Sequence, residues 1–440
     1  MKKTILPILC LFFFLIGPAQ VSKTVNVATA GTVSTLLTST AKSTVTNLTV
    51  TGTIDARDFV TMRDNMPALA VLDISAVNIA AYNGSGGTYT DTSYPANQLP
   101  EYSFSHGGTA KTSLVTIKLP DSIDSIGPSA FQNCTGLTSM VIPDLVTSIG
   151  GYAFYDCPGL SSITLPSSII LIGKSAFAFC TITTLTIPNS VTTIGDYAFA
   201  SCSGLITVDA NNPNYSSKDG VLFDKNQTTL IQCPVSKTGS YTIPSSVTSI
   251  GVYAFVSCKD LTSIAIPSSV ISFRMGAFGD CSGLTSLIIP SSVTSIGDFA
   301  FWNCTGLTSL YASATSPVNL SSLYFVFLGV NTNGCTLYVP KGSLSLYKAA
   351  YLWNGFVNIA EFTPPPTSVT SITTSALKGY TQNGQLIVTG MNQGETLTVY
   401  TIQGTTIYSH TTDGNQVVVN LPARGIYIVK AGAQSVRVVD

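Results

Sequence analysis

Seven cysteines, Cys134, Cys157, Cys180, Cys202, Cys258, Cys281 and Cys304, recur at nearly constant spacing. Such a column could serve redox exchange, bridging or metal ligation. The C-x-x-C pair that redox and zinc sites use is absent, so no metal is expected. If successive repeats stack, neighbouring cysteines stand about one rung apart, inside the ~4.4–6.8 Å Cα range of a disulfide. Distance alone leaves their redox state open. A buried cysteine also packs as a small hydrophobe, and the column is assigned a structural role. Cys233 and Cys335 lie outside it. The two histidines, His106 and His410, are far apart, and no nucleophile stands at a justified spacing from either, so no catalytic residue is assigned. Asp209, Asn211, Asn212, Asn214 and Asp219 have the residue types of a calcium loop, but Pro213 breaks the required order and a turn is expected. Hydrolysis of polysaccharide would need paired carboxylates on adjacent repeats, and the chain offers scattered ones such as Asp156 and Asp280. No cofactor is implied.

Binding is better supplied than catalysis. Tyr152, Tyr197, Tyr253 and Phe299 share one column of the repeat, and Tyr155 and Trp302 lie three residues after members of it. Aromatic rows stack sugars or anchor peptides; they also seal the edge of a coil. These six are the candidate ligand-binding residues. A second candidate face consists of Ser139, Ser162, Thr164, Thr184, Thr186, Ser263 and Ser286, whose hydroxyls offer many weak hydrogen bonds or a solvated sheet surface.

The elements that position these residues follow from a 23-residue period. LTSMVIPDLVTSIGGYAFYDCPG from Leu137 is followed by similar lines from Leu160 and Ile182, and others begin at Leu114, Leu205, Thr238, Leu261 and Leu284. The line from Leu205 is stretched to 33 residues. A fixed period of this length means a solenoid. In each line the segment before the proline column (Pro120, Pro143, Pro166, Pro188, Pro244, Pro267, Pro290) alternates as a short strand, which a residue without an N–H ends. The Val-Thr-Ser-Ile stretch gives a second short strand. Gly127, Gly150, Gly173, Gly195, Gly251 and Gly297 are expected to let the chain turn. The Ala-Phe pair is expected on one helical turn with its ring (Phe131, Phe154, Phe177, Phe199, Phe255, Phe278, Phe301) filling the coil. Arg274 stands in the glycine column, and a rerouted turn relieved by Gly276 is expected there. About seven inward side chains per line bury too little alone to offset the ~1–2 kcal/mol per residue of ordering, so stacking must supply the rest.

Composition narrows function further. Only 9% of the 440 residues are charged, against about 25% in an average soluble domain. The formal net charge of −1 leaves no basic field for nucleic acid. Lys2 and Lys3, an apolar run from Ile5 to Gly17 and the small residues up to Ala19 read as an export signal, since the run is short of the ~20 residues a membrane span takes. Cys10 has Leu11 to Ile16 still to follow and is not placed as a lipidated first residue. No transmembrane segment is expected in the mature chain.

The repeat resembles the BspA-like leucine-rich repeats, whose L-x-x-I-x-I-P, I-G and A-F-x-x-C pattern it matches from about Leu114 to Gly306. Val45, Leu48, Val50 and Leu69, Leu72, Ile74, with Asp55 capping a helix through Arg57, Phe59 and Met62, look like that family's N-terminal coils. Beyond Thr363-Pro364-Pro365-Pro366-Thr367, alternating strands between Gln385 and Val439 read as a small antiparallel β-sandwich. Leu421, Gly425, Tyr427 and Val429 there resemble the C-terminal sorting domain of the type IX secretion system of the Bacteroidota. The expected fold is mainly β: a leucine-rich-repeat solenoid of 23-residue coils and parallel strands, then the sandwich. Its expected divisions are 1–19 signal peptide, 20–113 N-terminal cap and irregular repeats, 114–306 regular repeats, 307–362 closing cap, 363–367 linker and 368–440 sorting domain. The resemblance implies a secreted or outer-membrane surface protein that meets the type IX machinery and then a host or bacterial surface protein or glycan. Alternatives are a structural element of a surface layer or biofilm matrix and, further off, a polysaccharide-acting enzyme.

Overall fold

Alternation such as Ser139, Met140, Val141 turns every second side chain inward, and in the computed structural model these segments are short parallel strands with only the middle residue buried. The structure describes residues 20–90, 93–362 and, further on, 378–382, 385–389, 396–401, 405–411, 416–421, 426–431 and 434–439. The expected export signal, the proline linker and Gly425 lie outside the described residues.

The chain begins as a four-stranded parallel sheet of Ser22–Val27, Asn47–Ile54, Val71–Ile79 and Thr116–Lys118. The helix Ala56–Asp64 between the second and third strands opens on a capping box: the Asp55 side chain accepts from backbone N–H, and Asp58 accepts in return from the Asp55 N–H at 3.0 Å. The regular coils then stack with one-to-one register. Ser139 pairs with Ser162 and Met140 with Ile163 on one side; Ser125, Ser148, Leu171 and Thr193 form a second ladder of two-residue strands. Met140, Ile142, Val146, Ile149, Phe154 and Cys157 of one coil are all buried.

Down the axis runs a pile of phenylalanine rings. Phe104, Phe131, Phe154, Phe177 and Phe199 stack at centroid separations of 5.2–5.8 Å, and Phe255, Phe278, Phe301 and Phe327 stack at 5.3–5.8 Å. Offset stacking adds to the area each ring buries. Phe104 and Phe327 extend the pile beyond the lines whose period is regular.

Three expectations about the turns are corrected. None of the column glycines has a positive φ. They are needed because the coils touch there: a Cβ on Gly173 would lie 2.4 Å from the Gly151 nitrogen, and one on Gly150 would lie 2.5 Å from that of Pro128. Arg274 reroutes nothing. Its N–H donates to Ile250 O at 2.9 Å as Gly173 does to Ile149 at 2.8 Å, and the strands around it keep register. Nor is the Ala-Phe pair helical; it lies in a non-helical turn arc bonded to the next coil.

The line from Leu205 spends its extra length on an antiparallel hairpin, Tyr215–Lys218 with Val221–Asp224, before Thr229–Gln232 rejoins the stack beside Ser249–Ile250. Here Cys233 takes the phenylalanine position, its N–H donating to Ala254 O at 2.7 Å as Phe177 does to Ala198 at 2.8 Å. The ring pile is therefore interrupted, and the buried core falls into two clusters that divide at the hairpin. The far end closes on the helix Leu344–Ala349 and buried Trp353, whose Nε1 donates to Val318 O at 2.9 Å.

The C-terminal unit, described by itself, has two antiparallel sheets. Lys378–Gln382, Gln385–Thr389 and Gln416–Asn420 form one; Thr406–Thr411, Thr396–Thr401, Ile426–Ala431 and Gln434–Val439 form the other. Leu386, Val388, Leu397, Val399, Tyr427 and Val429 are buried together, with Leu421 packed against them. The strand Lys378–Gln382 is an addition to the sequence reading.

Candidate functional site

The aromatic column sits where the backbone is least ordinary. Ser129, Tyr152, Ser175, Tyr197, Tyr253 and Phe299 all have φ between 52° and 62°, and Gly276 fills the same position at 62°. Left-handed backbone costs a non-glycine residue roughly 1–2 kcal/mol. The ladder that links the arcs holds it: Tyr152 N–H donates to Lys174 O at 2.8 Å, Phe154 to Ala176 at 2.8 Å and Asp156 to Ala178 at 2.9 Å. Ser129, Tyr152, Ser175 and Tyr253 are thus fixed on the outer rim, each N–H donating to a carbonyl of the next arc at 2.8–3.0 Å.

Five of the six predicted residues meet. Tyr152, Tyr155, Tyr197, Tyr253 and Trp302 line one groove of about 450 Å³, floored by Ala178, Ala200 and Val256. Phe299 is not among its walls and stacks on Phe325 at 5.1 Å. Phe179, 42% exposed and 5.3 Å from the Tyr155 ring, joins the groove; the sequence signal was there in the A-F-A-F run but fell outside the tyrosine column. Tyr197 and Tyr253 are 56 positions apart yet their ring centroids lie 4.6 Å from each other. The coil between them explains this. It passes from Leu230, the ladder partner of Ile250, to Cys233 in three residues where Ile194 to Phe199 takes five, so it has no tyrosine-bearing arc.

Charge at the groove is sparse. Lys174 Nζ lies 5.6 Å from the Tyr197 ring centroid, a cation–π distance. Asp280 is engaged by Lys259 at 3.0 Å, Ser257 Oγ at 3.1 Å and Asn303 Nδ2 at 2.7 Å. Burial holds the phenols of Tyr155, Tyr197 and Tyr253 above their ordinary range, so they are neutral at physiological pH; the Tyr197 hydroxyl donates to Met275 Sδ at 3.3 Å, and those of Tyr155 and Tyr253 are available as donors. The surface suits an apolar or aromatic group with a polar edge. Among the described residues no group of His, Cys, Asp or Glu side chains is placed to hold a metal ion.

The cysteine column lies behind the arcs, entirely buried. Each thiol reaches the preceding coil: Cys157 Sγ donates to Phe131 O at 3.0 Å, Cys180 to Phe154 at 3.1 Å, Cys202 to Phe177 at 2.8 Å, Cys281 to Phe255 at 3.0 Å and Cys304 to Phe278 at 3.0 Å. Burial pushes the thiols of Cys134, Cys180 and Cys304 up to about 12, far from the thiolate that attacks or ligates. The Asp209–Asn214 segment is a turn. Asn212 is buried and donates to Pro188 O at 2.7 Å, and Lys225 Nζ occupies the carbonyls of Ala210 and Asn212. The hydroxyl face forms a shallow depression among Ser162, Thr164, Thr184 and Thr186, interrupted along the stack by exposed Val141 and Ile288.

Residues 97–229 and 231–329 match the family model for the BspA type leucine-rich repeat region, in six copies. A leucine-rich repeat protein of known structure from Eubacterium ventriosum is 30% identical over 51% of this chain and 68% of its own, at a TM-score of 0.42. A leucine-rich cell surface protein from Faecalibacterium prausnitzii is 24% identical over 72% of this chain and 83% of its own, at a TM-score of 0.51, a likeness of fold. A leucine-rich repeat protein from Bacteroides ovatus is 26% identical over 62% and 67% of the two chains, at 0.41. Comparison with curated protein sequences finds no match. With over half its length matched, and with stacked coils carrying the proline, glycine, phenylalanine and cysteine columns, the chain belongs to the BspA-type leucine-rich repeat family.

Proposed function

We propose that this is a non-enzymatic cell-surface protein that captures a partner, a host or bacterial surface protein or glycan, on the aromatic groove of its solenoid. The groove carries the reading: five aromatic side chains from four coils surround one space, on arcs whose backbone is locked by the inter-coil ladder. Rigid aromatic anchors lose little side-chain entropy on binding and dominate interface energetics. Export by the N-terminal signal and then by the type IX machinery, through the sheets that bury Tyr427 and Val429, belongs to the same proposal. No helix among the described residues is long and apolar enough to cross a membrane.

The test is surface plasmon resonance of the full chain over immobilised extracellular-matrix proteins and mucin glycans, with wild type and a Tyr155→Ala, Trp302→Ala double variant. A saturable partner whose affinity the double variant lowers at least about tenfold is expected, since hot-spot aromatics typically cost ~2 kcal/mol or more on truncation. Concentration-dependent self-association with no partner on the array would overturn the reading in favour of a structural matrix element.

A further inference from the structure

Successive arcs are joined through single peptide units. The unit between Gly151 and Tyr152 accepts from Ser129 N–H at 2.9 Å through its carbonyl and donates to Lys174 O at 2.8 Å through its N–H. The unit between Lys174 and Ser175 does the same, ending on Asp196 O at 3.0 Å. At Tyr197 the series stops: its N–H has no acceptor among the described residues. Across the gap, Val252 occupies the position of Lys174, Asp196 and Met275, each of which accepts a bond, yet its carbonyl receives none from the described residues. The unit that would join them is the one the shortened arc leaves out.

A cavity of about 250 Å³ stands in its place, walled by Tyr197 and Val252 with Gln232 between them. Gln232 is only 2% exposed; its Nε2 donates to Cys233 O at 3.0 Å, while its Oε1 accepts from none of the described residues. A donor on one wall and an acceptor on the other, where the peptide unit that joins such positions elsewhere in the stack is missing, form a mould for a trans secondary amide.

We propose that this cavity binds the acetamido group of an N-acetylated amino sugar, its carbonyl accepting from Tyr197 N–H and its N–H donating to Val252 O. The proposal rests on the surface-binding reading and gives it a ligand class at a second contact beside the groove. A peptide would have to run on along the arc, through the next gap between Ser201 and Val256. That gap is shut by the Ser201 Oγ to Ser257 Oγ bond at 3.2 Å and by the packing of Ala200 on Val256. An amide carried on a sugar ring enters end-on and does not need it. The volume is below the ~300–1,000 Å³ of pockets for larger ligands, and fits a single ring. Exposed Asp196 and Arg274 line the cavity with no ion-pair partner among the described residues, one an acceptor and the other a donor for ring hydroxyls.

The test titrates the full chain by saturation-transfer NMR with methyl N-acetyl-β-glucosaminide, methyl β-glucoside and trialanine amide. The glucosaminide is expected to bind at least about tenfold more tightly than the glucoside, which leaves the facing N–H and C=O unpaired. Val252→Phe, which fills the cavity, abolishes that binding; Asp196→Ala and Arg274→Ala each weaken it several-fold and decide the matter should Val252→Phe not fold. Equal binding of the two glycosides, binding of trialanine amide alone, no binding, or binding indifferent to all the variants that fold would overturn the proposal. If it falls while the wild type still captures a partner on the array and Tyr155→Ala with Trp302→Ala lowers that affinity at least about tenfold, the acetamido site alone is wrong; if that capture is also absent, the surface-binding reading falls with it.

Discussion

A thiol in this column is a buried neutral donor, and that fixes how stability responds to alkali. Against an ordinary value of 9.0, burial pushes Cys180 up to about 12. The unfolded chain therefore loses this proton near pH 9 while the folded chain keeps it. The stabilisation is whole below pH 9 and is lost as the pH rises toward 12, at about 1.4 kcal/mol per pH unit for each such thiol. Lys111, held down to about 8 by burial, acts in the opposite sense between its folded value and the 10.5 of an exposed lysine. Comparing Cys180→Ala with wild type isolates the thiol: urea unfolding between pH 9 and 10.5 should show the variant's slope shallower by about that amount, and an unchanged slope would show that Cys180 titrates normally. The glycines make a different demand. Gly173→Ala leaves φ acceptable but presses a Cβ onto the Gly151 backbone, which cannot retreat; overpacking of this kind costs about 1–3 kcal/mol. A fall in the urea midpoint of that size is expected, and none would mean that the coils separate easily. Period alone marked both columns in the sequence. It could not say that the glycines serve contact between coils while the left-handed backbone falls two residues later, because spacing records position and not neighbours.

At the scale of the element, the ring pile and its interruption decide how the coils cooperate. Phe177 lies between Phe154 at 5.2 Å and Phe199 at 5.8 Å, and the next pile resumes only at Phe255. Removing such a ring typically costs ~3–5 kcal/mol. Since each coil is stabilised by its nearest neighbours, Phe177→Ala should loosen the coils up to the hairpin more than those from Phe255 onward. Hydrogen exchange by mass spectrometry reads this directly: protection should drop over the strands at Met140, Ile163 and Leu185 and stay close to wild type at Leu287 and Leu310. Equal loss in both halves would show that Cys233 couples the clusters as well as a phenylalanine does. The stretched line of 33 residues was plain in the sequence, but the cleft it creates was not. The hairpin adds residues while the arc loses two, and a count of the total hides the deficit. Only the partner of Cys233 N–H shows which position it occupies.

For the whole molecule, most of the architecture was legible because one repeat dictates the next: seven apolar columns force a stack, and a stack aligns whatever the columns carry. What lacked a period was harder to place, as with the strand Lys378–Gln382 and the rings of Phe325 and Phe179. The same logic separates the two units by what each contributes. The solenoid has its own closing element, with Tyr347 bonded to Ala314 O at 2.9 Å and Trp353 packed 5.2 Å from Phe327, so its last coil is covered without any residue beyond Phe362. A chain that ends at Phe362 should therefore keep the solenoid's thermal unfolding transition within a few degrees of the full chain's, since no core side chain of the coils is removed. If the terminal sheets are a sorting signal, the loss must appear elsewhere: the shortened chain should accumulate in the periplasm while the intact one reaches the cell surface. Fractionation followed by surface proteolysis distinguishes the cases. Equal surface display of the two chains would leave the terminal unit as an accessory module and remove type IX export from the reading, whereas a shortened chain that unfolds early would mean that the coils depend on the second unit after all.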